Sequence, residues 1–315
     1  MKKTRSEIFH TSVMPDQVID ALNCESGKLY VDCTLGGGGH SSLIAEKIGT
    51  DGRLISLDVD QDAIDEATGK LSVFKNVTIV KSNFAKLPDV LSDLNIDSVT
   101  GGILVDLGVS TFQLTSPEKG FTFQVDSPLD MRLDKNLTLS AEDLVNTLSE
   151  DELAIIFKEY GEERYSKRVA KAIVSSAQKS RITSTLQLAD IVKSVVPRSP
   201  GLKIHPATRV FQALRIKVNN ELGVLEQMLD SVVDLLSPGA RIAIISFHSL
   251  EDRIVKQSFK TYSLDCICPP EIIECRCEHE KKLKLITKKP LVPDDTEVRG
   301  NPAARSAKLR VAERV

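Results

Sequence analysis

Short apolar runs alternate with stretches of helical period through the first hundred residues. Runs at 29–33, 53–58, 77–81 and 102–107 are rich in aliphatic and β-branched residues, and each ends in a polar or glycine-bearing turn. Between them, apolar positions recur every three or four residues over 41–48, 61–71 and 85–94. This alternation predicts an α/β fold, a parallel sheet covered by helices, with its ligand crevice at the carboxyl ends of the strands.

After residue 107 the pattern changes. Positions 110–136 are rich in turn formers and include Pro117, Gly120 and Pro128, so a long loop is expected there. From 140 to 196 the chain reads as helices. Ser149 with Glu152 three residues later forms a capping box, and a helix over 186–196 is stopped by Pro197. The strand and helix pattern then resumes with a helix over 207–236, a Pro238-Gly239 turn, and strands at 241–247, 284–288 and 308–313. The expected organisation is a discontinuous core, residues 1–114 and 206–315, carrying an inserted all-helical domain at 115–205.

Composition narrows the class. With 41% hydrophobic and 27% charged residues the chain is globular rather than disordered. Only 4% is aromatic and Trp is absent, which argues against a protein that grips single strands by many stacked rings. No stretch reaches the roughly 18 uninterrupted apolar residues of a membrane helix, and the first 14 residues carry Lys2, Lys3, Arg5 and Glu7 without an apolar run. A cytoplasmic protein without a membrane partner is expected. The net charge of −3 hides a strong asymmetry: residues 158–217 hold 13 Lys or Arg against four acids, a net +9 that leaves −12 for the rest. That imbalance suits a polyanionic partner, the alternative being a solvated helical surface.

The chemistry-bearing residues cluster at the strand ends. The first strand runs into Asp32-Cys33-Thr34-Leu35-Gly36-Gly37-Gly38-Gly39-His40, whose glycines let backbone approach a ligand without a Cβ in the way. The dinucleotide fingerprint G-x-G-x-x-G fails, because its last position is Ser41 or Ser42. Asp32, Gly36, Gly38 and Gly39 instead resemble the D-x-x-x-G-x-G-G of methyltransferases. Asp58 ends the second strand, where a carboxylate can accept from both ribose hydroxyls of a nucleoside. Asp60 competes for that role but suits a helix N-cap better. Phe84 follows the third strand, placed either to face an adenine or to pack in the core. The fourth strand delivers Asp106-Leu107-Gly108-Val109-Ser110, followed by Gln113. It keeps the acid of the Asn/Asp-Pro-Pro-Tyr/Phe motif of amino-methylating enzymes but lacks both prolines and the aromatic. The fifth strand ends in Ser246-Phe247-His248-Ser249-Leu250-Glu251-Asp252-Arg253, where Ser249 with Asp252 is expected to cap the next helix.

Several strings in order make the resemblance specific. They are His10-Thr11-Ser12-Val13-Met14, the glycine loop, Asp106 to Ser110, Gly120-Phe121-Thr122-Phe123, Pro128-Leu129-Asp130-Met131-Arg132, Tyr160-Gly161-Glu162-Glu163-Arg164, the run from His205 to Arg215, Ser246 to Arg253, and Asn301-Pro302-Ala303-Ala304-Arg305-Ser306. Together they resemble the RsmH (formerly MraW) family. The resemblance implies a Rossmann-like class I methyltransferase sheet whose last strand runs antiparallel. It also implies S-adenosylmethionine as cofactor and methylation of the exocyclic N4 of a decoding-centre cytidine in bacterial 16S rRNA. By the same resemblance Gly38, Gly39, His40, Asp58, Phe84, Asp106 and Gln113 are the cofactor contacts, and the helical insertion grips RNA. Asp106 is the candidate catalytic residue, accepting from the acceptor amine, with a pure cofactor contact as the alternative reading. The rival functions are methylation of another RNA or a protein amine, and a non-catalytic S-adenosylmethionine-binding factor in ribosome assembly. No metal ligand is assigned to the site. Cys266, Cys268, Cys275 and Cys277, with His279 close behind, leave two readings open: a four-thiolate zinc site or free thiols on a surface loop.

Overall fold

The structure, a computed structural model, describes residues 12–110, 113–114, 116–197, 205–269, 271 and 274–315. His10 and Thr11 of the first family string, and Arg198 and Lys203 of the basic segment, lie outside these residues. The chain divides into two compact units, Met1–Gly108 with Gly223–Val315, and Val109–Leu222.

The first unit is built on a seven-stranded sheet: β1 (Leu29–Asp32), β2 (Arg53–Asp58), β3 (Val77–Lys81), β4 (Gly102–Asp106), β5 (Arg241–Ser246), β6 (Leu283–Leu285) and β7 (Lys308–Arg314). Their order is β3-β2-β1-β4-β5-β7-β6. The first five run parallel, and β7 is antiparallel to both β5 and β6. Side chains alternate between two buried faces, as the period of a strand demands. Val31, Ile55, Leu57, Ile103, Val105, Ile242 and Ile244 pack on one face with Leu225, Met228, Leu229 and Val232. Tyr30, Leu54, Leu104, Ala243 and Ile245 pack on the other with Val18, Leu22, Ile44 and Ile48. Helix α1 (Pro15–Leu22), not among the expected elements, precedes β1, and α2 (Gly39–Ile48), α3 (Gln61–Leu71) and α4 (Leu87–Asp93) fall between the early strands, as the apolar spacing predicts. The strand expected at 284–288 is shorter, Leu283–Leu285, and buries only Leu283.

The regular elements of the second unit are helices among its described residues, with Ala141–Thr147, Glu150–Glu159, Ser166–Ala177, Thr185–Val195 and Ala207–Asn219 carrying its core. Leu153, Phe157, Val169, Ile173, Leu188, Val192, Val210 and Leu214 are buried there together. Reciprocal capping boxes start two of the helices, Ser140 with Asp143 and Ser149 with Glu152.

This unit extends beyond the expected 115–205 at both ends, and the helix expected over 207–236 explains the difference at its carboxyl end. Asn220 takes the left-handed conformation, φ 49°, and splits that stretch into Ala207–Asn219 and Glu221–Leu235. Asn is one of the few non-glycine residues that tolerates this region. The first half gives Val210, Phe211 and Leu214 to the second unit's core, and the other half gives Leu225, Met228 and Leu229 to the sheet. Both halves bury an apolar face, so the periodicity runs unbroken across a change of unit.

Candidate functional site

The candidate residues of the first unit follow the carboxyl ends of β1, β2, β3 and β4. Beyond β1 the chain reverses through Gly36 and Gly38, whose φ angles of +48° and +71° L side chains rarely adopt. A Cβ on Gly36 would meet only the Thr34 carbonyl oxygen, 3.9 Å away, so this stretch of backbone presents bare peptide to open space. A Cβ on Gly38 would stand 3.2 Å from that of Ala67, so here the glycine also lets the loop sit close against α3. Gly39 begins α2.

Asp58 holds the loop from the neighbouring strand. Its Oδ2 accepts the Gly36 N–H at 2.9 Å and its Oδ1 accepts the Asp60 N–H at 2.9 Å. Burial pushes the Asp58 carboxyl up to about 6, with these two N–H groups opposing the rise and the Asp60 charge adding to it. Each oxygen keeps a further lone pair for a hydroxyl donor. Asp60 is the N-cap of α3, its side chain accepting from Asp62 N–H.

Behind the loop lies a buried polar chain that sequence reasoning missed. Asp32 is fully buried and accepts from Ser41 Oγ at 2.6 Å and from Thr34 N–H at 3.1 Å. Ser41 Oγ meets Ser56 Oγ at 2.8 Å, and Thr34 Oγ1 accepts the Asp106 N–H at 2.7 Å. Burial holds the Asp32 carboxyl above its usual range, the Ser41 hydroxyl working against the shift. Ser41 entered the sequence reading only as the residue that spoils the dinucleotide fingerprint. A polar residue one helical turn inside a glycine loop, opposite a strand serine, is the signal that was available.

Among the described residues, three buried atoms at the β4 end have no hydrogen-bond partner: Nδ1 and Nε2 of His40, and Oδ1 of Asp106. His40 Nε2 stands 3.6 Å from Asp106 Oδ2, an ion-pair separation too long for a hydrogen bond. Burial disfavours the imidazolium, yet Asp106, with smaller help from Asp32 and Glu297, more than offsets this and raises the His40 pKa. Unpaired buried polar atoms are costly and uncommon. An acceptor and a histidine left so in one corner form a place that a donor-bearing ligand would complete.

Phe84 opens a short 3-10 turn, Phe84–Lys86, which Asn83 caps, and its ring is half-buried against the sheet core. Gln113 belongs to the second unit, where its side-chain carbonyl accepts the Ser110 N–H at 2.8 Å and its own N–H donates to Ser110 Oγ at 3.2 Å. The structure thus places six of the seven candidates in one unit and the seventh in the other. At the end of β5 the cap falls one residue earlier than expected. His248 is the N-cap and Glu251 its capping-box partner. Asp252 turns instead to β7, taking Lys308 Nζ at 3.0 Å and Arg310 Nε at 2.7 Å. These two cations overcome the effect of its burial and hold its carboxyl below the usual range.

The sequence profile of the MraW methylase family matches residues 7–315. A ribosomal RNA small subunit methyltransferase H of Halothermothrix orenii is 49% identical over 307 residues, 97% of this chain and 98% of that one. The protein of that name from Desulfosudis oleivorans is 49% identical over 97% of this chain and 99% of its own, and that of Clostridioides difficile 45% identical over 98% and 100%. Alignment at this identity runs from end to end, so it takes in both units.

Proposed function

Because the chain belongs to the MraW methylase family, we infer that it transfers the methyl group of S-adenosylmethionine to small-subunit ribosomal RNA. The end-to-end likeness to small-subunit rRNA methyltransferases carries this reading, and the acceptor assigned here is the exocyclic N4 of a cytidine in the decoding centre. The donor set at the carboxyl ends of the strands fits the cofactor. Asp58 would take the ribose hydroxyls, the bare backbone at Gly36 and the adjoining Gly38, Gly39 and His40 would line the ligand, and Phe84 would border the base. Gln113 completes the set by resemblance alone.

When bound, the cofactor supplies a methyl group on a positively charged sulfur. The cytosine amine is a weak nucleophile because its lone pair is delocalised into the ring, so positioning supplies most of the catalysis. Asp106 Oδ1, buried and without a partner among the described residues, is the acceptor we assign to one N–H of that amine. This hydrogen bond draws the lone pair back onto nitrogen and gives the departing proton a destination. His40, its pKa raised by Asp106, sets its Nε2 3.6 Å from the other oxygen of that carboxylate. The base must leave its stack to reach such a site, so single-stranded or partly assembled RNA is the expected substrate.

The second unit is assigned to RNA backbone contact through its exposed cations, Lys158, Arg164, Lys167, Arg168, Lys171 and Lys179. Reversing charge at Lys167 and Arg168 is expected to weaken RNA binding and to make its log–log salt dependence shallower by about 1–2. Cofactor affinity should stay unchanged in the same protein. RNA affinity equal to wild type would move the footprint elsewhere. The acceptor itself is tested with methyl-labelled cofactor and small subunits or naked rRNA from a strain lacking the enzyme. Label in N4-methylcytidine is expected. Label in another base, in protein or nowhere would reject the acceptor assignment.

A further inference from the structure

Among its described residues, the loop between helix Ser249–Tyr262 and β6 buries no apolar side chain. Every described residue from 263 to 282 is at least partly exposed, and Ile267 has 48% of its surface in solvent. Its base is closed by backbone and histidine bonds: Lys282 N–H donates to the Tyr262 carbonyl at 2.9 Å, and His279 Nε2 lies 3.0 Å from the Thr261 carbonyl oxygen. Yet at its tip four sulfurs converge. The Sγ atoms of Cys266, Cys268, Cys275 and Cys277 all lie within 4.8 Å of one another. Cys275 and Cys277 are 3.5 Å apart, and Cys277 and Cys266 3.7 Å.

We propose that these four cysteines bind one zinc ion as a structural site that orders the loop. Four sulfurs around zinc at about 2.3 Å form a tetrahedron with edges of roughly 3.8 Å, and the Cys275–Cys277 and Cys277–Cys266 separations fall close to that edge length. A disulfide would need about 2.05 Å. Backbone amides already point at the sulfurs as they do around a bound thiolate: Ile267 N–H donates to Cys277 Sγ, Cys268 N–H to Cys266 Sγ, and Arg276 N–H to Cys268 Sγ, each at 3.4 Å. Two C-x-C arms present four soft ligands and no carboxylate or water-bearing position, which is the donor set of a closed structural zinc site rather than a catalytic one. Binding displaces the thiol protons to solvent and leaves each sulfur as a thiolate ligand, with no redox change.

The test uses the full chain, purified under reducing conditions without chelator. Elemental analysis is expected to find one zinc per chain, falling to about a tenth or less in the double variant Cys268→Ser, Cys277→Ser. Replacing the metal with cobalt should give the visible bands of a tetrahedral tetrathiolate site, absent in the variant. Unchanged S-adenosylmethionine affinity in the variant would separate metal loss from unfolding. Should the variant fail to fold, wild-type protein treated with a colorimetric chelator must release one zinc while four thiols become reactive. Wild-type protein without zinc, giving no cobalt bands and four freely reactive thiols, would overturn the proposal. A disulfide among these cysteines in protein alkylated at lysis would overturn it equally.

Discussion

Asp106→Asn is expected to lower kcat on the order of 100-fold or more while S-adenosylmethionine affinity stays within about threefold, the range that one positioned acid or base usually commands. Asparagine keeps the size of the side chain and leaves the Asp106 N–H bond to Thr34 Oγ1 untouched. What changes is the free Oδ1 corner, where a carboxylate that only accepts becomes an amide that can also donate. A donor facing the cytosine amine repels it, and the proton has nowhere to go. Single-turnover methylation, with calorimetry on the same sample, separates the two roles. Full turnover with normal cofactor binding would remove Asp106 from acceptor activation. A loss confined to cofactor affinity would make it a cofactor contact only.

Asp58→Ala should weaken S-adenosylmethionine binding by about 2–3 kcal/mol, on the order of 30- to 150-fold in Kd, since hydrogen bonds to an ionised acceptor are worth more than neutral ones. The variant also frees the Gly36 and Asp60 N–H groups that now hold the loop against β2. Affinity in the wild-type protein should fall as pH drops through about 6, where the carboxyl gains a proton. The same group sets the direction of a stability effect. Its folded value lies above the 3.8 of the unfolded chain, so between those two pH values the fold holds a proton that the unfolded chain has lost, and the contribution of Asp58 to stability declines as pH rises. Cofactor affinity independent of pH from 5 to 8, or a Kd unchanged in Asp58→Ala, would remove this carboxylate from the ribose site.

The sheet was legible because strand length, turn chemistry and two-faced burial all leave marks in a single sequence. Asp58 and Asp60 could even be told apart, since one lies on the strand and the other just past it at a helix start. The Asn220 break was hidden because an apolar stripe does not record which core it faces. The Asp32, Ser41 and Ser56 chain escaped notice for a related reason. Its members come from two strands and a helix, and a polar residue on a buried face reads locally like one at a solvent boundary. The His248 cap was displaced by one position, within the uncertainty that any helix start carries when several capping residues stand together.

Strands β4 and β5 lie side by side in parallel, yet the whole second unit is strung between them in the chain. During translation, the growing sheet therefore presents the uncovered edge of β4, with Ile103, Leu104 and Val105, before its partner exists. At about 5–20 residues per second the delay is on the order of ten seconds, long compared with the collapse of a small helical unit. The insertion has time to fold first. Late closure over so wide a sequence gap makes the sheet the slow step, and an exposed strand edge in the meantime is the point at which a nascent chain is vulnerable to aggregation.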